Sequence, residues 1–144
     1  MSRLEKFTAD HLHKPITDSL SLITNWLNGT PVKAEKGLVI IKYTVRKEMT
    51  NYQGVLHGGV SAMIMDDMCG MICMLSSTDE QVYSTVSLSV DYLKGAKVGD
   101  EITATARIVK LGRTIANVEA FIENAEGQIM IRASSNLVNV PVRV

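Results

Sequence analysis

The sequence predicts an α+β domain in which one antiparallel sheet curves around a single long apolar helix. Three observations lead there. Residues 58–75 are apolar around most of a helical circumference, as a helix buried on nearly all sides must be. Segments on either side alternate apolar and polar residues with the two-residue period of strands covered on one face. Those strands are grouped, two before the helix and four after it, and joined mainly by short turns, rather than alternating with helices as a parallel sheet requires.

Taken in order, residues 1–13 are expected to form a flexible N-terminal segment and residues 14–28 a helix. Pro15 suits a first helical turn, Ile16, Leu20, Ile23 and Leu27 recur at helical spacing, and Asn28-Gly29 ends the run. Residues 31–47 hold two strands around Lys36-Gly37, the second with Ile41, Tyr43 and Val45 on one side and Lys42, Thr44 and Arg46 on the other. Residues 48–57 read as a loop. The buried helix starts at Gly58 and leaves through Ser76-Ser77-Thr78-Asp79. Its methionines suit an irregular interface, because the unbranched thioether adapts to its surroundings.

Four more strands follow. Val86, Leu88, Val90 and Tyr92 alternate with Thr85, Ser87, Ser89 and Asp91. Ile102, Ala104, Ala106 and Ile108 alternate with Thr103, Thr105 and Arg107. Ala116, Val118, Ala120 and Ile122 follow the Leu111-Gly112-Arg113 turn, and Asn124-Ala-Glu-Gly127 turns the chain into a last strand at about residues 128–138.

At 144 residues the chain fits one domain. Lys plus Arg and Asp plus Glu both number 15, for a formal net charge of zero, and the basic residues form no long run. Nucleic-acid and anionic-membrane binding are therefore poorly supported. The N-terminus lacks the apolar core of a secretory signal and no uninterrupted apolar span has transmembrane length, so the expected location is cytoplasmic. Cys69 and Cys73, the only cysteines, form neither a disulfide framework nor a zinc pattern, and read as small buried apolar groups. No metal is expected.

The chemically informative segment is Asn51-Tyr-Gln-Gly-Val-Leu-His57-Gly-Gly59, followed by Asp66-Asp67 inside the apolar helix. Exposed N–H groups around Gly58, helped by the field at a helix N-terminus, can hold the oxyanion that develops when a carbonyl is attacked. The matching base would be a carboxylate. Gly58 and Asp66 are eight residues apart, or about 12 Å at roughly 1.5 Å per residue, so one straight helix cannot place both on one carbonyl carbon. A second copy running antiparallel can, through a two-fold axis that makes two equivalent sites. If the motif is catalytic, an obligate homodimer follows.

Asp66 is favoured over Asp67 because it shares a helical face with Gly59, Met63 and Gly70, whereas Asp67 points about 100° away and suits a plain surface carboxylate. Three residues keep two readings each. His57 is either a structural loop histidine or a contact to the leaving group. Asn51 either closes an Asx turn or orients a carbonyl. Thr85 is either a polar strand position or the hydroxyl that holds water against Asp66.

The ordered motif Asn51-x-x-Gly54-x-x-His57-Gly58-Gly59 with Asp66, together with Thr85-Val-Ser-Leu-Ser-Val-Asp-Tyr-Leu-Lys94, resembles the hotdog-fold acyl-CoA thioesterases of the phenylacetate-pathway (PaaI-like) type. The similarity spans about residues 29–140. It implies a six-stranded antiparallel sheet around the Gly58 helix, a dimer with one continuous sheet, and pairing of dimers into tetramers. It implies hydrolysis of an acyl-CoA to a carboxylic acid and CoA. Gly58 N–H, with Asn51 nearby, would polarise the thioester carbonyl. Asp66 of the opposite subunit would be general base or nucleophile, Thr85 would place water, and His57 would sit beside the thioester.

CoA would be substrate, with no cofactor. The resemblance also assigns contacts with it to Tyr92, Leu93, Lys94, Gly95 and Lys97 and to the turn carrying Lys110, Gly112 and Arg113; the plain reading of these lysines and arginine is a solvated surface. No Gly-x-Ser-x-Gly elbow supports a serine hydrolase. The alternative from another class is a noncatalytic acyl-CoA-binding domain on the same fold.

Overall fold

The computed structural model describes residues 1–141. Helix α1 (Arg3–His11) and a short α2 (Leu22–Leu27) precede strands β1 (Thr30–Glu35) and β2 (Leu38–Thr44). Helix α3 (Gly58–Ser76) leads to β3 (Val82–Tyr92), β4 (Glu101–Leu111), β5 (Ile115–Glu123) and β6 (Ile129–Val140). The six strands form one sheet in the order β1-β2-β4-β5-β6-β3, with every pair antiparallel. β1 and β3 are its edges. This is the hotdog arrangement, with α3 packed against the sheet.

The sheet makes room for a methionine-rich helix by being shallow beneath it. Val39, Ala106, Ala120, Ala133 and Val90 lie in register as a row across β2, β4, β5, β6 and β3. Against this face α3 buries Ile64, Met65, Met68, Cys69, Ile72 and Cys73 completely. Large side chains on the helix thus meet small ones on the sheet, which is how two layers reach interior packing density.

The N-terminal region differs from the sequence expectation. Residues 1–13 are not a loose segment: α1 starts at a capping box in which Ser2 and Glu5 exchange hydrogen bonds, a Ser-x-x-Glu signature already present in the sequence. Nor is 14–28 one helix, since only Leu22–Leu27 is helical. Ser21 caps the start of α2 by accepting from Thr24 N–H, and Ile16 N–H bonds to Gly29 O across the intervening loop. Ile16 and Leu27 are buried, but Leu20 is fully exposed and Ile23 is 46% exposed. Their helical spacing does not reflect a shared buried face.

Strand β3 carries the second difference. Thr85 pairs with Leu137 and Ser87 with Asn136, so Val86 is the extra residue of a bulge. Val86 is 63% exposed, while Leu88 and Val90 pack on the core. The bulge shifts the side-chain parity of the strand. Thr85, expected on the polar face with Ser87, reaches α3 instead.

Candidate active site

The loop before α3 is built on its own backbone. Asn51 Oδ1 accepts from Gln53 N–H (3.0 Å) and Val55 N–H (3.2 Å), Gly54 adopts φ +74°, and Leu56 N–H bonds to Ala96 O at 2.7 Å. Asn51 therefore closes an Asx turn with its carbonyl. His57 is the N-cap of α3: its Nδ1 accepts from Gly59 N–H at 2.9 Å, which leaves Nε2 as the donor of the ring.

Among the described residues no acceptor meets the Gly58 N–H. It lies in the first turn of a 19-residue helix, where the peptide dipoles leave positive charge. The Tyr92 ring packs over Gly58, with ring carbons 3.4 and 3.6 Å from where a Cβ would sit, and the Tyr92 hydroxyl donates to Gly58 O at 3.1 Å. Gly95 is required just beyond, because a Cβ there would fall 2.6 Å from Val55 Cγ1.

Two turns further along α3, the Thr85 hydroxyl donates to Asp66 Oδ1 at 2.7 Å. Both residues are exposed, and Asp66 belongs to the least buried stripe of the helix with Gly59, Met63, Gly70 and Met74. The adjacent carboxylate is the reverse of the expected surface group. Asp67 turns inward, accepts from Thr24 Oγ1 at 2.7 Å, and leaves Oδ2 buried with no partner among the described residues. Burial pushes its carboxyl above the usual range, the Thr24 hydroxyl opposes that, and the neighbouring Asp66 charge adds to it. The buried Tyr43 phenol is pushed up by burial and by Asp67. Burial also raises Cys69 to about 12 and Cys73 to about 11, so neither thiol supplies a thiolate near neutrality.

The segments assigned to CoA fall at opposite ends of the protomer. Tyr92, Leu93, Lys94, Gly95 and Lys97 follow the end of β3, with Lys94 Nζ on Gln128 Oε1 at 2.7 Å. The turn carrying Lys110, Gly112 and Arg113 lies at its start, where Tyr83 donates to Gly112 O at 3.0 Å. From Tyr83 to Tyr92 is about 30 Å at roughly 3.3 Å per residue. A cleft of about 860 Å³ opens beside Asp66 and Thr85, walled by α1, the 18–21 loop and the C-terminal half of α3. Of its walls the sequence showed the α3 side alone; the signal for α1 was the Ser2-x-x-Glu5 capping box.

Among the described residues no group of three or more His, Cys, Asp or Glu side chains is placed to hold a metal. Helix α3 has the length and apolarity of a membrane span, yet nine of its residues are buried in the domain.

A curved antiparallel sheet around one helix, with a capped glycine pair at the helix start and a carboxylate on its open stripe, defines a hotdog protein of the thioesterase kind. Comparison with known proteins agrees. The chain belongs to the Thioesterase superfamily, whose profile matches residues 53–131. It is 33% identical to human acyl-coenzyme A thioesterase 13 over 102 residues, covering 70% of this chain and 72% of the human one. A Streptococcus mutans protein solved with bound acetyl-CoA is 28% identical, with a TM-score of 0.77 over 94% of this chain and 100% of the other. A hypothetical thioesterase protein of Streptococcus pneumoniae solved with coenzyme A is 26% identical, with a TM-score of 0.75 over 81% and 89% of the two chains.

Proposed function

We propose that the protein hydrolyses acyl-CoA thioesters in a homodimer, with each site made from two protomers. The observation that carries this reading is the division of the chemistry along α3. Asp66 and Thr85 form a pair with an open side, and the free Gly58 N–H lies about 12 Å away on the same helix, beyond reach of the same carbon. An antiparallel second copy brings one protomer's Gly58 to the other's Asp66. Strand β3 suits that contact: it is a sheet edge of 11 residues with no Lys or Pro to block a further strand. Antiparallel pairing of two β3 edges also brings the Lys94–Lys97 segment beside the other copy's Lys110–Arg113 turn. This meets the span of a CoA molecule, a ligand held by the streptococcal relatives.

In the reaction, water held by Thr85 and Asp66 loses a proton to the Asp66 carboxylate as its oxygen attacks the thioester carbonyl. The oxyanion forms against the Gly58 N–H. Collapse breaks the C–S bond, and the proton on Asp66 neutralises the departing CoA thiolate, giving carboxylic acid and CoA thiol. An oriented N–H donor contributes about 3–4 kcal/mol in favourable cases, and a general base about 10²–10⁴-fold in rate. His57 acts through the helix start that it caps, and Asn51 through the shape of the loop.

The test is thiol release from a panel of acyl-CoAs by the purified protein and by Asp66→Asn. Turnover should fall at least about 100-fold in the variant. Full turnover by Asp66→Asn sinks the mechanism, and saturable acyl-CoA binding without thiol release identifies a noncatalytic binding domain instead.

A further inference from the structure

We infer that the cleft between α1 and the C-terminal half of α3 is the acyl-chain channel, and that Gly70 and Met74 set the chain length it admits. This rests on the thioesterase reading of the Asp66–Thr85 pair. The cleft reaches that pair directly and continues past Gly70, Met71, Met74 and Leu75, with Phe7 of α1 opposite. Its volume of about 860 Å³ lies within the roughly 300–1,000 Å³ of small-molecule sites.

Helix α1 is held over the cleft from both ends. Arg3 forms an ion pair with Asp79 (3.0 Å) and donates to the Asp79 and Gln81 carbonyls, fastening the start of α1 beyond the end of α3. His11 meets Asp18 at 3.6 Å, joining the other end of α1 to the 18–21 loop. Leu4 and Phe7 pack against the core. The floor beneath this strap is left unfilled: a Cβ on Gly70 would meet nothing within 4 Å, and Met74 is 45% exposed. Arg3, Lys6, Asp10, His11 and Asp18 also line the cleft, so the apolar occupant belongs against Phe7, Met71, Met74 and Leu75, whose surface it removes from water.

Asp66, Gly70 and Met74 follow one another on one stripe of α3, so the channel has a scale. Gly70 lies about 6 Å and Met74 about 12 Å beyond Asp66 at roughly 1.5 Å per residue. An extended chain advances about 1.2 Å per bond, since a residue of three bonds spans at most roughly 3.6 Å. A straight, uncharged acyl group therefore reaches Met74 at about ten carbons; a side chain at Gly70 would stop it near five, and a larger one at Met74 near ten.

The test measures kcat/KM for saturated acyl-CoAs of increasing length with wild type, Gly70→Val and Met74→Trp. The wild type should accept chains of ten carbons and longer, Met74→Trp should reject those beyond about ten, and Gly70→Val should lower the ten-to-four-carbon ratio at least tenfold. Equal loss at all lengths, an unmoved profile, or dissociation of the variants into monomers would overturn the channel. Should a bulky variant misfold, Phe7→Ala examines the opposite wall and must shift preference towards wider aryl-acyl groups; no shift counts against the channel. Binding of a non-hydrolysable decanoyl-CoA thioether separates the two readings. If no acyl-CoA is turned over, the hydrolase reading fails, while chain-length-dependent binding of thioethers still supports the channel and its absence rejects it.

Discussion

Asp67→Asn should stabilise the protein at neutral and alkaline pH while leaving thiol release within a few-fold of wild type. Two contributions set the size. Asp67 Oδ2 is buried without a partner, and a buried, incompletely paired charge costs about 2 kcal/mol more than the neutral amide that asparagine leaves in its place. Against that, the bond from Thr24 falls from the strength of a charged acceptor to that of a neutral one, a loss of about 1 kcal/mol. The net gain is about 1 kcal/mol, or about 3–4 °C in Tm for a domain of this size.

The pH dependence carries a sign. Burial raises the folded Asp67 carboxyl above its ordinary value, so between the unfolded and folded values the native state binds more protons, and stability falls as pH rises through that window. Asparagine removes this slope. The gain should be smallest in acid, below the ordinary carboxylate value, and reach its plateau once the folded group has ionised. Urea unfolding at fixed protein concentration, compared at acid and mildly alkaline pH, reads both quantities. A variant that is less stable than wild type at alkaline pH and keeps the wild-type slope would refute the reasoning. Asp66→Asn is the mirror image: the residue is exposed, so stability should move by no more than about 0.5 kcal/mol while turnover collapses.

Two further outcomes follow from the geometry. Gly95→Ala drives a methyl into Val55 Cγ1; it should lower stability by about 1–3 kcal/mol and raise KM for acyl-CoA, and unchanged unfolding and kinetics would show that the loop yields freely. Val86→Lys places a charge on the open β3 edge and, through the two-fold axis, a second one nearby. Light scattering should then find monomers without thiol release, and an intact dimer would mean that the subunits meet elsewhere.

The candidate site was legible in part because some of its requirements are local. A helix start, a carboxylate register and an Asx turn depend on residues within a few positions of one another, so Asn51, His57, Gly58 and Asp66 could be picked out as candidates by type and spacing, with Asn51 and His57 keeping two readings each. Thr85 was legible as a candidate but not in its placement, because the bulge at Val86 depends on pairing with β6, about fifty residues later. Asp67 was misplaced for a similar reason. Its surroundings, Thr24 and Tyr43, come from α2 and β2, and helical phase relative to α3 says nothing of what those elements put against each face.

The sequence by itself determined the layers of this protein, six strands and one buried helix, because hydrophobic periodicity is written residue by residue. It also determined that Gly58 and Asp66 of one chain cannot meet on one carbon, since helical rise alone holds them apart. Only the tertiary structure decided which carboxylate is buried, which way Thr85 faces, and that α1 stands over a cleft beginning at Asp66. Each of those depends on distant segments meeting, and burial or parity at one residue is then fixed by a neighbour that its own stretch of sequence does not contain.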